Sequence, residues 1–343
     1  MESKIIKKEK LSQLLDRLAQ DFVLVAPVRE DGVLLYRPVE TAENVELNPG
    51  RSAGSPKGCF FPQTEVLYRY RLKEGKLALA EIVEDRCRIV LFGVHPCDLR
   101  SFAVLDAVFN EEPPDKYFAA RRENTTVIGI SCSTVLPECF CTAYGISPVE
   151  GKGADIHLTD VGAGTYLVEI LTPKGQELLK QFETFFENHV AAVAEAKKAK
   201  EAALLTKFGF PVNVDGLAEK LMSLFSNPYW EKLSQRCLGC GICTYVCPTC
   251  HCFDIMDTGG ECEGERFRCW DSCLFREYTL HTSGHNPRHA LSQRLRNRFF
   301  HKLSYNQQRY NIEGCVGCGR CVALCPVNID IREVISAVRG LSE

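Results

Sequence analysis

Two runs of cysteine carry the clearest chemistry in this chain. The first reads Cys237-Leu-Gly-Cys240-Gly-Ile-Cys243-Thr-Tyr-Val-Cys247-Pro248, and the second Cys315-Val-Gly-Cys318-Gly-Arg-Cys321-Val-Ala-Leu-Cys325-Pro326. Three thiolates spaced by two residues can wrap one corner of an iron–sulfur cube. The intervening glycines let the backbone curl tightly and aim N–H groups at anionic sulfur. Structural zinc sites use similar cysteine pairs. Two complete quartets, each closed by proline, favour iron–sulfur over zinc. The string Cys247-Pro-Thr-Cys250-His251 formally spells a haem-attachment motif, but that use would consume a cluster ligand.

This is the spacing of a two-cluster ferredoxin, in which the fourth cysteine of each run serves the other cluster. Cys237, Cys240, Cys243 and Cys325 are therefore expected to hold one [4Fe–4S] cluster. Cys315, Cys318, Cys321 and Cys247 are expected to hold the second. Four further thiols are candidates for a third. Cys97 follows the apolar run 88–94 and Cys132 follows 125–130, with Cys139 and Cys141 in the same loop. If those runs are parallel neighbouring strands, both loops emerge at one carboxyl edge, where open α/β sheets place ligands. The competing reading is buried free cysteine, a common fate for this residue. A third [4Fe–4S] on Cys97, Cys132, Cys139 and Cys141 is the expectation.

The remaining thiols read differently. Cys59 and Cys87 have no partner at ligand spacing and are expected to pack in the core. Cys250, Cys252, Cys262, Cys269 and Cys273 are expected to pack round the clusters, a zinc or redox site being the alternative. Nineteen cysteines in 343 residues is an odd count in a long chain, with thirteen after residue 236. The first residues lack the apolar core of a secretory signal. Metal binding in a reducing compartment fits better than a disulfide scaffold, and a cytoplasmic location is expected.

The elements that must position these thiols follow from periodicity. Residues 4–20 read as an amphipathic helix, with Ile5, Leu11, Leu15 and Leu18 on one side. Residues 22–28, 33–36, 88–94, 125–130 and 165–170 read as strands, and 98–109 as a crossover helix, making a strand–helix–strand unit. Residues 175–205 read as helical and 213–233 as a further helical approach. The long insert between Cys247 and Cys315 is expected to be helical, notably at 287–303 with Asn286 as N-cap. The fold class is an α/β N-terminal domain (1–175), a helical connector (176–227) and a C-terminal helical dicluster ferredoxin-like domain (228–343).

Composition limits the alternatives. Hydrophobic residues are 45% of the chain and charged residues 25%, with a net charge of −3. No global basic field recruits nucleic acid, and no apolar stretch is long enough to span a membrane. Residues 278–312 hold no acid but many arginines and histidines. Cluster neutralisation and docking of an acidic partner are both expected there. Gly162-Ala-Gly164 lacks the third glycine of a dinucleotide fingerprint, since position 167 is leucine. Catalytic signals are absent, and single-electron transfer is the positive one.

The chain resembles the electron-transfer β subunit of cytoplasmic sulfhydrogenases, a family that also takes in the [4Fe–4S] electron-transfer subunit of anaerobic sulfite reductase. The carriers are Pro56-Lys-Gly-Cys-Phe-Phe-Pro62, Phe92-Gly-Val-His-Pro-Cys-Asp98, Arg122-Glu-Asn-Thr-Thr126 and Leu158-Thr-Asp-Val-Gly162. They continue with Cys247-Pro-Thr-Cys-His-Cys-Phe-Asp254, Arg268-Cys-Trp-Asp-Ser-Cys273 and His285-Asn-Pro-Arg288. The resemblance implies a [4Fe–4S] relay between an FAD-containing NAD(P)H-oxidoreductase subunit and a terminal hydrogenase or reductase subunit, in an anaerobic complex. The alternative function is a catalytic iron–sulfur reductase acting directly on a sulfur compound.

Overall fold

The computed structural model describes residues 2–81, 87–188 and 191–342. Twelve strands are described: β1 Glu2–Lys7, β2 Val23–Glu30, β3 Val33–Val39, β4 Thr64–Lys73, β5 Lys76–Glu81, β6 Ile89–Val94, β7 Thr125–Ile130, β8 Ile156–Asp160, β9 Thr165–Ile170, β10 Glu187–Asn188, β11 Phe253–Gly259 and β12 Glu263–Trp270. Eight form one sheet in the order β10-β1-β9-β8-β7-β6-β2-β3. Its centre, β2, β6, β7 and β8, is parallel. All six residues of β7 are buried, as expected for strands covered on both faces. On one face Leu11, Leu14, Leu15 and Leu18 of helix Lys8–Asp21 pack with Leu178. On the other, Leu99, Phe102 and Leu105 of helix Pro96–Phe109 pack with Phe60, Phe61 and Phe118.

The second sheet, β11-β12-β4-β5, is antiparallel and takes two strands from each half of the chain. Its middle is tied by a buried Arg268 whose Nε donates to Glu65 at 2.5 Å, and by Trp270 Nε1 donating to the Phe61 carbonyl at 3.1 Å. The chain segments expected to form separate domains thus share a sheet. The expectation of a helical insert is corrected in part: its first portion forms the β11–β12 hairpin, while the stretch near 287–303 is helical. β11 is almost wholly exposed, Ile255 and Met256 included, so it has no buried face to impose the polar–apolar alternation by which a strand is recognised.

Other boundaries move for local reasons. Residues 2–7 form a strand rather than the start of a helix, because six register pairs to β9 claim that backbone. Ile5 therefore lies on β1, not on the helix face. The helical reading of 175–205 divides into Pro173–Gln181 and Ala191–Leu205, with β10 between them paired to β1. The reading of 213–233 divides into Leu217–Ser223 and Tyr229–Ser234. The helix expected at 287–303 spans Leu291–Phe300 and continues as a π-turn at His301–Tyr305. Asn286 accepts from the Arg288 N–H at 2.9 Å, shaping the preceding turn instead of capping the helix. A third apolar core, including Trp230, Phe299, Phe300 and Val338, holds these C-terminal helices together.

Candidate metal centres

The first cysteine run leaves helix Tyr229–Ser234 and turns on Gly239 and Gly241, at φ +67° and +77°. These left-handed positions suit glycine and swing Cys237, Cys240 and Cys243 onto the wall of one cavity. Cys325 arrives from the second run and completes that wall. The Gly239 N–H points at Cys237 Sγ at 3.3 Å and the Ile329 N–H at Cys325 Sγ at 3.2 Å. The second run repeats this geometry. Gly317 and Gly319 have φ of +63° and +74°, and the Gly317 N–H points at Cys315 Sγ at 3.5 Å. Cys247 bears electrostatically on Cys315, Cys318 and Cys321 alike.

The four N-terminal thiols are also brought together. β6 and β7 are parallel neighbours, so Cys97 and Cys132 leave the same edge. Cys97 sits in the first turn of helix Pro96–Phe109, steadied by His95 Nε2 against the Pro49 carbonyl at 3.1 Å. Cys132 is held by its N–H to the Pro148 carbonyl at 2.8 Å. The preceding Ser131 is locked by His157 Nε2 at 3.0 Å and Thr159 Oγ1 at 2.7 Å. Cys97, Cys132, Cys139 and Cys141 all line one cavity. Burial pushes the Cys97 thiol well up and the Cys132 thiol up to about 12. These groups stay protonated until a metal displaces the protons.

The three sites share walls. Cys318 of the second quartet lines the N-terminal cavity, and Cys321 lines the first ferredoxin cavity. The loop bearing Cys139 and Cys141 lies directly on the second run. The Phe140 N–H donates to the Gly317 carbonyl at 2.9 Å, and Arg51 Nη1 to the Cys318 carbonyl at 3.2 Å. A Cβ at Gly317 would fall 2.5 Å from the Cys141 backbone. Gly317→Ala should therefore cost about 1–3 kcal/mol from its left-handed φ alone, and should also lift the Cys139–Cys141 loop off the second run. Thermal unfolding and iron content of the anaerobic protein read the two effects; an unchanged melting temperature and iron count would refute the close packing.

Charge in the interior tests which group these thiols suit. Arg298, Lys302 and Lys57 are 4%, 2% and 2% exposed. Among the described residues no ion pair joins any of them to a carboxylate. Burial opposes the charge on Arg298, but the Cys243, Cys321, Cys250 and Cys247 sulfurs around it more than offset that and hold it well above its ordinary value. Lys302 is likewise raised, against burial, by Cys247, Cys250 and Cys315. Burial takes Lys57 down to about 8, and its Nζ donates to the Cys250 carbonyl at 2.8 Å. Buried cations without counter-ions call for an anion. A cubane held by four thiolates is net negative, so the donors and the cations fit it. Among the described residues no three Cys, His, Asp or Glu side chains meet where one ion could sit. A cubane instead spreads its thiolates over four irons.

Exposure separates the two ferredoxin-like runs. Cys240 is exposed, with Leu238 at 65%, whereas Cys318 and Val316 at the matching positions are buried. Cys250, Cys252 and Cys273 cluster behind Cys247, with Cys252 in contact with Cys273 and Tyr278. Cys262 is exposed and Cys269 lies on β12 beside Met256, so neither packs round the clusters. Cys59 packs against the phenylalanine core. Cys87 is exposed, which corrects its reading as a core residue. It sits outside any strand, just before β6.

The basic segment 278–312 is used mostly inside the molecule. Arg298 and Lys302 face sulfur. Arg294 donates to the Leu274, Arg288 and His289 carbonyls, and Arg296 to that of Phe225. Arg309 pairs with Glu111 at 2.6 Å. This supports neutralisation and leaves little of the expected acidic-partner dock. Sequence reasoning passed over Lys57 and the pair Asp98–Arg320. The available signal for the latter was an arginine inside a cysteine run where the sister run has Ile242.

Comparison with known proteins bears on the C-terminal part and on the family. Residues 236–329 match the family model described as a 4Fe-4S dicluster domain. The chain is 32% identical over 338 residues to the Sulfhydrogenase 2 subunit beta of Pyrococcus furiosus, covering 97% of each chain. No solved structure matches.

Proposed function

The chain belongs to the sulfhydrogenase beta-subunit family, and on that premise we propose that it is the iron–sulfur relay subunit of a multisubunit anaerobic oxidoreductase. Its partners are an FAD-containing NAD(P)H-oxidoreductase subunit and a terminal hydrogenase or reductase subunit. Cys237, Cys240, Cys243 and Cys325 hold one [4Fe–4S] cluster, and Cys315, Cys318, Cys321 and Cys247 the second. Cys97, Cys132, Cys139 and Cys141 hold a third. Such clusters, when bound, accept and release single electrons.

The observation that carries this reading is the sharing of walls. Cys318 reaches from the second quartet into the N-terminal cavity, and Cys321 into the first ferredoxin cavity. Electron tunnelling weakens steeply with distance, so contiguous sites make a usable path. The chain's own residues supply the rest. Four thiols per site leave no open coordination position, which favours relay over direct reduction of a sulfur compound. Arg298 and Lys302 offset negative charge in a dry interior. The exposed Cys240 loop brings one end of the path to the surface. Among the described residues no helix is long and apolar enough to cross a membrane, which fits the cytoplasmic location we assign to it.

Iron and acid-labile sulfide, measured per chain on fully metallated protein kept without oxygen, test the cluster count. About 12 of each corresponds to three cubanes. About 8 would limit the relay to the two ferredoxin-like quartets.

A further inference from the structure

Asp98 and Arg320 have no exposed side-chain surface and form a two-point ion pair. Arg320 Nη1 donates to Asp98 Oδ1 at 2.8 Å, and Nη2 to Oδ2 at 2.7 Å. Two further donors go to Ser52, Nε to its carbonyl at 2.9 Å and Nη2 to its Oγ at 2.9 Å. Asp98 follows Cys97 of the N-terminal site. Arg320 precedes Cys321 and lies two residues from Cys318 of the second quartet. Neither residue is a proposed ligand.

Coordination does not require this pair, since the first run has Ile242, 37% exposed, where the second has Arg320. Stability is a poor reason for it as well. Desolvating two charges cancels most of their attraction, and an apolar pair of similar volume is often as stable. What a buried pair does retain is a fixed field, weakly screened by salt. Along the chain its negative member adjoins Cys97 of the N-terminal site and its positive member adjoins Cys321 of the second quartet. Among the charges acting on Cys97, Asp98 outweighs Arg320; on Cys318 the order is reversed.

We propose that the Asp98–Arg320 pair lowers the reduction potential of the N-terminal cluster relative to the second cluster, so that electrons run from the N-terminal site into the ferredoxin-like runs and leave at the Cys240 loop. The inference rests on the three-cluster reading above. A neighbouring negative charge opposes the arrival of an electron and a positive charge favours it. In each exchange one electron leaves the N-terminal cluster and one enters the second. No bond is made, no proton moves, and both side chains keep their charge. Asp98 and Arg320 are positioning residues here, acting through the field they set.

The test is a redox titration of the anaerobic full chain, followed by electron paramagnetic resonance, beside an iron and sulfide count. Asp98→Asn should raise both potentials, the N-terminal one more. Arg320→Gln should lower both, the second more. The double variant should raise the N-terminal potential and lower the second. That narrows the gap enough to change the exchange equilibrium about tenfold, or about 59 mV for one electron. Arg320→Lys keeps the charge and should leave the gap close to that of the unmodified chain, which also guards against a double variant that fails to load. About 12 irons with an unchanged gap in the double variant, or a collapsed gap in Arg320→Lys, would overturn the inference alone. About 8 irons in the unmodified chain would overturn the three-cluster reading and the inference with it.

Discussion

A Cys132→Ala/Cys141→Ala chain should retain about 8 irons where the unmodified chain holds about 12, with the loss confined to one spectroscopic species. Both thiols line the N-terminal cavity and neither lies on the walls of the first ferredoxin cavity. Cys132 is held by the loop after β7 and Cys141 by a short 3-10 turn, so removing the sulfurs leaves the backbone anchors in place. The ferredoxin-like quartets should load normally. Electron flow through the assembled complex should fall at least about 100-fold, since a missing centre lengthens the tunnelling step; an activation penalty of about 2.7 kcal/mol has that effect. Iron and sulfide analysis with single-turnover reduction of the two remaining clusters checks both parts. Full retention of iron would return these cysteines to a packing role.

Arg298→Leu should have the second large effect, and its sign should depend on whether metal is bound. Arg298 is 4% exposed, stacks 5.1 Å over Phe299, and lies between Cys243 of one quartet and Cys321 of the other. Its Nε has no partner among the described residues. In the loaded protein, removing one member of a buried charge pair leaves the other uncompensated, at about 3–5 kcal/mol. The metallated variant should therefore melt earlier, and both ferredoxin-like clusters should become harder to reduce. In the metal-free chain burial pushes the neighbouring Cys243 and Cys321 thiols up, so these two supply the same arginine with little compensating negative charge. There the substitution should be neutral or stabilising. Paired melting curves with and without metal decide it. Equal destabilisation in both forms would make Arg298 a packing residue.

How much of this was legible beforehand varies with the range of the interaction. The eight ferredoxin-like cysteines stand in two short runs, where spacing and glycine positions report the local curl directly. The N-terminal four are scattered, yet became legible once 88–94 and 125–130 were read as parallel strands, because that geometry brings their following loops to one edge. The hairpin β11–β12 was missed, since β11 is almost wholly exposed and has no buried face, and the pairing of β12 with β4 is a contact between halves of the chain. The boundary errors at 4–20 and 175–205 share one cause: β1 pairs with β9 and β10, so distant strands override local helical periodicity.

The donor chemistry was readable from the sequence: which sulfurs exist and how the runs curl. Those properties depend on covalent spacing and on φ angles within a few residues. Only the tertiary fold settles which thiols share a wall, which of the two cysteine runs meets solvent, and how the buried charge is balanced. Asp98 meets Arg320 across 222 positions of sequence, and Lys57 meets Cys250 across 193. Electrostatic compensation acts through space in a poorly screened interior, and no local spacing rule encodes it.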